Sequence, residues 1–399
     1  MHATLFLPLL AFLAARCARA DPYAQRQWTL PDYRTPYYTV YPPLDAGNAT
    51  RDFVVQQVDE LSGLQDYGTT YMQYRDGGGA CQVNNISFFV FSDTTTMCMT
   101  TGDWVCFTSN SLATNAATNQ PQQLADISAS PENKCIDFTP FSEYELTENE
   151  NYWTRFALWA FSDCVTVNDT FAVQFFQVER FYGWTSYFLA GSSMGQYSLD
   201  LDNNNLTVTR ESQYFFMNTT YTYGSFATLT VNDTAYLYGL DEFYSDRSDL
   251  HLARVLLTGI TDVSQYEFYN AATEEWESSA PYVTSRREDA AAMQSNIPLS
   301  SGSFYFSEYH NQYVFIFFSN YVDNTFRLMT SPTPWGPWNM SDDALYYATP
   351  GPNGYNYGAA AHAMYYQTDG EAAGKTVLLH YSYAGEHGTY PRAARLTFA

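Results

Sequence analysis

Apolar residues in this chain come in short runs with turn residues between them, and almost nowhere at helical spacing. The runs ISFFVFSD (86–93), DWVCFTS (103–109), TRFALWAF (154–161), TFAVQFFQVE (170–179), TAYLYGL (234–240), LHLARVLL (250–257), QYVFIFFSNY (312–321) and TVLLHYSY (376–383) are typical. Many alternate with period two, and Asn, Asp or Gly stands between one run and the next, which predicts strands joined by tight turns. Helical signals are nearly absent. The best is SRREDAAAMQS (285–295), and residues 53–65 have room for a turn or two of helix. Residues 109–134 are polar, rich in Asn, Gln and Pro, and read as a long excursion loop between Cys106 and Cys135.

Many short strands with such turns indicate a sandwich, a barrel or a propeller. The length favours a propeller: from about residue 70 to 399 there is room for five units of roughly 65 residues. Strand–turn–strand units support it, as in GSFYFSEYHNQYVFIFFSNYVDNTFRLMTSPTPWGPW. The expected fold class is all-β, a five-bladed β-propeller over 70–399, preceded by an extended segment over 21–69.

Composition narrows the function classes. An apolar run from Leu5 to Ala15, followed by Ala18-Arg19-Ala20, reads as a signal peptide over 1–20 and so predicts a secreted product, extracellular or in the cell wall. Asn48, Asn85, Asn168, Asn205, Asn218, Asn232 and Asn339 each begin an N-x-S/T sequon, which suggests a glycoprotein. Past the signal, Cys81, Cys98, Cys106, Cys135 and Cys164 allow two disulfides and one thiol, all in the first half. The formal net charge of −24 makes nucleic acid and anionic membranes poor partners. Aromatic residues make up 18% of the chain, and Tyr and Trp join an apolar face to a polar tip, a combination suited to sugar rings. A polysaccharide or oligosaccharide substrate and a monomer are expected. No nucleotide-binding or metalloprotease fingerprint is present, no ligand spacing marks a metal, and no cofactor is expected.

The stretch YRDGGGACQVNNISFFVFSDT (74–94) places Asp76 and Asp93 at the two ends of a glycine-containing hairpin. Two carboxylates brought together suit acid/base or nucleophilic sugar chemistry. The local alternatives are a hairpin turn capped by Asp76 and an Asx-turn of Asp93 with Thr94 and Thr95. Further candidates for contact with substrate are Glu179 and Asp241, each after an apolar strand, Arg254 inside LHLARVLL, and His362 after a run of small residues. Glu242 and Arg247 are weaker candidates. Trp184, Trp335 and Trp338 are either sugar platforms or core.

Several elements in order carry a family resemblance: RDGGGAC followed by FFVFSDT; TAYLYGL followed by LHLARV; YEFYN followed by Trp276; GSFYFSEYHNQYVFIF followed by SPTPWGPW; and YNYGAAAHAMYYQ. The chain resembles secreted five-bladed β-propellers long catalogued as a domain of unknown function. That family is similar to the arabinanase/β-xylosidase propellers and includes endo-D-arabinanases. The resemblance spans about residues 70 to 385 and implies catalytic aspartates at Asp76 and Asp93, on the central axis. Ala80-Cys81 stands where the family commonly has a pair such as Gly-Ser. The implied activity is glycoside hydrolysis of a furanosyl (arabinan-like) or other neutral cell-wall polysaccharide. The alternative expectation is a non-catalytic carbohydrate-binding or cell-surface propeller.

Overall fold

The computed structural model describes residues 26–30, 42–63, 65–66, 71–115, 123–125, 136–150, 153–183, 186–240, 248–281, 292–297, 301–319, 322–341, 343–366, 372–386 and 388–399. Over these residues the chain is nearly all β. Five sheets of four or more strands follow one another in sequence, and a small three-stranded sheet stands beside the first.

The first sheet runs outward from Gly79–Val83 through Ile86–Phe91, Ser111–Asn115 and Gln123–Ala125 to Gln65–Asp66. In the second, Thr154–Ala160 and Val165–Asn168 both pair with Phe171–Tyr182; Ser186–Asp200, Asn205–Thr209 and Arg26–Thr29 follow. The third is built on Ala227–Val231, Thr234–Leu240 and Ser248–Leu256, the fourth on Ser301–Ser307, Gln312–Phe318 and Thr325–Ser331. The fifth contains Asn356–His362, Thr376–Ala384, Thr389–Phe398 and Val55–Gly63. Tyr71–Arg75, Thr94–Cys98 and Trp104–Thr108 make the small sheet.

The hydrophobic pattern explains how these sheets pack. A strand buried on one face alternates, whereas one buried on both reads as a continuous apolar run. In Gln312–Phe318, Phe315 and Phe317 join a cluster shared with the third sheet, while Val314, Ile316 and Phe318 join one shared with the fifth. In Ile86–Phe91, Phe88 and Val90 face the second sheet, while Phe89 and Phe91 face the fifth. Tyr236 and Tyr238 face the fourth sheet, and Ala235 and Leu237 the second. Each apolar cluster thus lies between two neighbouring sheets, and one joins the fifth sheet back to the first. Fully burying one such side chain contributes about 1.5–3 kcal/mol.

Two expectations meet a different structure, and a third lies mostly outside the described residues. Residues 55–63 are a strand, not a helix, paired antiparallel with Thr389–Phe398 from Val55 opposite Phe398 onward. Long-range pairing outweighs local helix preference there. Ser111–Asn115, expected in a loop, is a buried strand paired with Ile86–Phe91. Its Thr and Asn conceal it, because it is buried on both faces and shows no alternation. The helical candidate 285–295 lies mostly outside the described residues, and Gln294–Ile297 is a strand. The α-helix among the described residues is Glu143–Asn149 instead. Its signal was available in Ser142-x-x-Glu145, a capping box in which the Ser142 side chain accepts from Glu145 N and Glu145 accepts from Ser142 N.

Cys81 pairs with Cys164, tying the innermost strand of the first sheet to the entrance of the second. Cys106 is also disulfide-bonded, and Cys98 is a thiol. Both agree with the expected two bridges and one free cysteine. Cys135 and residues 1–25, including the expected signal peptide, lie outside the described residues.

Glu145 is buried and forms a two-pronged ion pair with Arg210, at 2.5 and 2.8 Å. Arg210 also donates to Ser193 Oγ at 2.6 Å, so helix and second sheet are clamped at one point. Breaking a buried pair leaves an uncompensated charge. Arg210→Ala is expected to lower unfolding free energy by about 3–5 kcal/mol, measured by chemical denaturation.

Candidate active site

Asp76 and Asp93 lie where the chain passes between the small sheet and the first sheet. Arg75 is opposite Thr94 in one, and Gly79 opposite Val90 in the other, so the intervening register sets Asp76 opposite Asp93. Asp76 N donates to Asp93 O at 3.2 Å, and Ser92 N to Asp76 O at 2.9 Å. Asp76 therefore faces Ser92 and Asp93 together, as at a bulge, and the charge of Asp93 bears on its carboxyl. The hairpin between them turns at Asn84-Asn85, both at positive φ, as a two-residue turn of this kind demands.

The glycine run serves backbone packing. Gly77 N donates to Ser382 Oγ at 2.8 Å, and Gly78 N to Ala160 O at 2.9 Å. Gly79 lies so close to the second sheet that a Cβ would stand 1.9 Å from Ser162 O. The glycines therefore let the hairpin touch the fifth and second sheets at once.

The two carboxylates have different surroundings. Asp93 is 21% exposed and accepts from Trp159 Nε1 at 2.9 Å and Arg155 Nη2 at 3.2 Å. Its carboxylate turns to these partners rather than to an Asx-turn. The Arg155 guanidinium lies 4.3 Å from the Phe181 ring centre and 5.0 Å from that of Phe107. Asp76 is half-buried and accepts from the Tyr357 hydroxyl at 3.0 Å, which also meets Thr389 Oγ1 at 3.0 Å. Burial first, then the charge of Asp93, hold the Asp76 carboxyl well above the usual carboxylate range. Asp76 is thus held toward its protonated form beside a second acid.

Glu179 is fully buried on Phe171–Tyr182, opposite Ala157. Arg155 and Trp159 lie two residues on either side of Ala157, so Glu179 shares the face that carries both partners of Asp93. His362 is fully buried, bonded to Asp163 at 3.0 Å and to His380 at 2.6 Å. Arg254 belongs to other work. It pairs with Glu267 at 2.7 Å and lies 4.0 Å from the Trp276 ring centre, on the third strand of the third sheet. The strand beside it supplies the countercharge a half-buried guanidinium needs. Asp241, Glu242, Arg247 and Trp184 lie outside the described residues. Trp335 and Trp338 pack in the cluster between the third and fourth sheets.

Sequence reasoning missed Asp163, His380, Tyr357, Arg155 and Trp159. One signal was present: Phe161-Ser162-Asp163 repeats Phe91-Ser92-Asp93, each after an apolar strand. Ser92 Oγ donates to Ala160 O at 3.0 Å, so the first repeat touches the strand end that precedes the second. The other four come from distant strands. Among the described residues no group of three or more His, Cys, Asp or Glu side chains is placed to hold a metal ion.

The raised carboxyl of Asp76 also acts on stability. In the unfolded chain it titrates at the ordinary value, whereas in the fold it retains its proton to higher pH. The folded state therefore binds more protons, and stability falls as pH rises from the ordinary value through the raised one. Asp76→Asn removes this penalty. It is expected to raise Tm at neutral pH by about 2 °C or more, with the gain vanishing in acid, as read by calorimetry across pH.

No family model matches the chain, and no curated protein matches it. Solved structures do. A Bacteroides ovatus protein provisionally named a hydrolase superposes with TM-score 0.53 at 14% identity, covering 81% of this chain and 85% of its own. A Xanthomonas citri GH43_1 enzyme bound to xylose gives 0.49 at 12% identity, covering 85% and 91%. The Bacteroides thetaiotaomicron endo-arabinase gives 0.42 at 7%, covering 88% and 98%. The first of these shows a fold shared over most of both chains, and at such low identity nothing about chemistry.

Proposed function

We propose that this protein is a five-bladed β-propeller glycoside hydrolase, secreted and glycosylated, with Asp76 and Asp93 as its catalytic pair. The observation that carries the reading is the opposition of two aspartates, one with its carboxyl raised by burial and the other charge-paired to Arg155. Asp76, retaining its proton, is the general acid that protonates the leaving oxygen. Asp93, an acceptor toward both Arg155 and Trp159, is the carboxylate that serves as base or nucleophile. Exposure of six sequon asparagines, Asn205 being half-buried, favours glycosylation.

A neutral polysaccharide fits the surroundings. Trp159 meets Phe161, Phe181 and Tyr187 edge-on, and Phe181 stacks on Tyr187 with centroids 5.0 Å apart. Tyr187 is 42% exposed and Phe107 40%, so rings extend outward from Asp93. Exposed aromatic surface beside convergent polar groups is the usual makeup of a ligand cleft. A furanosyl polymer of the arabinan kind is the first substrate to test.

Asp76→Asn and Asp93→Asn are each expected to lower hydrolysis across an arabinan and xylan panel by at least about 10²-fold, the scale of a lost acid or base. Full turnover by both variants would sink the assignment. Glycan binding retained by both, with no turnover by the native protein on any polymer, would favour the non-catalytic alternative. Tyr187→Ala is expected to raise KM on polymer severalfold while leaving the rate on a short aryl glycoside little changed; equal KM values would remove the platform.

A further inference from the structure

Between the glycine turn and the second sheet runs a line of hydrogen bonds that the acid pair does not use. His362 and His380 are fully buried on adjacent strands of the fifth sheet. Their rings are coplanar within 3°, with centroids 4.8 Å apart and His362 Nε2 2.6 Å from His380 Nδ1. Nitrogens so much closer than ring centres mean that the rings meet edge to edge, where an imidazole N–H bond and lone pair point. At the far ends, His380 Nε2 is 3.3 Å from Gly77 O, and His362 Nδ1 is 3.0 Å from Asp163 Oδ1.

Donor and acceptor chemistry fixes the hydrogens. A carbonyl only accepts, so His380 Nε2 carries its hydrogen. Burial, then the neighbouring His362, push His380 well below the ordinary histidine value, so it is neutral and its Nδ1 is a lone pair. His362 Nε2 therefore donates to it. His362 Nδ1 then faces a carboxylate, and a bond there needs one more proton, on either atom. Without that proton, the Asp163 carboxylate meets a lone pair. Relief requires His362 to carry its hydrogen on Nδ1 instead, and His380 likewise, after which Gly77 O has lost its donor.

We propose that Asp163, His362 and His380 are positioning residues that hold Gly77 O, and with it the angle of the Asp76-Gly77 turn, through one shared proton, and that losing it removes this anchor. The effect on rate rests on the hydrolytic reading; the arrangement of protons does not. Phe89 closes off both rings edge-on. The titratable groups around the pair are Asp163, Tyr365, whose phenol is pushed up by burial, and Asp76 beside Gly77. Asp163 Oδ1 also accepts from Ala80 N at 2.8 Å, anchoring the same hairpin a second time.

Nitrogen-15 NMR of histidine-labelled full chain, titrated from mildly acidic to mildly alkaline pH, reads the tautomers directly. Both rings are expected to carry Nε2 hydrogens in acid and to switch together to Nδ1 at one midpoint. The Asp76 side-chain carbon resonance is expected to shift at that same midpoint. Asp163→Asn offers an amide N–H to His362 Nδ1 while its oxygen still accepts from Ala80. It is expected to lock both rings at Nε2, to abolish the shared midpoint and to move the alkaline limb of kcat upward. His380→Leu is expected to lose about 10²-fold in kcat, with KM little changed. Independent titration of the rings, an Nδ1 hydrogen on His380 in acid, a switch persisting in Asp163→Asn, or an unmoved Asp76 resonance would each overturn the proposal. Tautomers and Asp76 behaving as expected without turnover of any polymer would leave it standing and remove the hydrolytic reading instead.

Discussion

Closure of the sheets on one another requires the fifth to meet the first, and the meeting is made by backbone. Gly77 N–H reaches Ser382, Gly77 C=O receives His380, and a Cβ on Gly358 would stand only 3.1 Å from Gly77 Cα. A side chain at Gly358 would require its neighbours to give by a few tenths of an ångström, at a φ of +56° that already favours glycine. Asp76 precedes Gly77 directly, so the residue at this seam also holds the backbone of Asp76 in place.

The same tightness accounts for the uneven electrostatics. A hairpin held between two sheets leaves Asp76 half-buried, so its carboxyl is partly desolvated beside a second acid. Asp93 is partly exposed, where strand Thr154–Ala160 offers an indole N–H and a guanidinium. The fold accepts a cost in stability at Asp76 while giving Asp93 two donors.

Much of this was legible beforehand. The alternation and run lengths of the apolar segments announced strands, and the two aspartates flanking the glycines were visible as a pair. What stayed hidden depended on partners far along the chain. Tyr357 acquires meaning only because the fifth sheet comes round to Asp76, 281 residues away in sequence. Arg254, the most conspicuous charge in an apolar strand, was answered by Glu267, a neighbour only 13 residues on. Ser111–Asn115 carried no periodicity because burial on both faces erases it, and the strand 55–63 owed its conformation to the opposite end of the chain.

That last pairing bears on how the molecule comes into being. Val55–Gly63 completes its sheet only with Thr389–Phe398. At synthesis rates of about 5–20 residues per second, roughly 16–65 s separate the emergence of the two strands. Over that interval the early strand has an open edge and no native partner, the condition that invites pairing with another chain. Its QQVDE stretch, polar and partly charged, is a poor template for such pairing. The sequence of this strand therefore answers to two demands: to bind one late partner, and to refuse every earlier one.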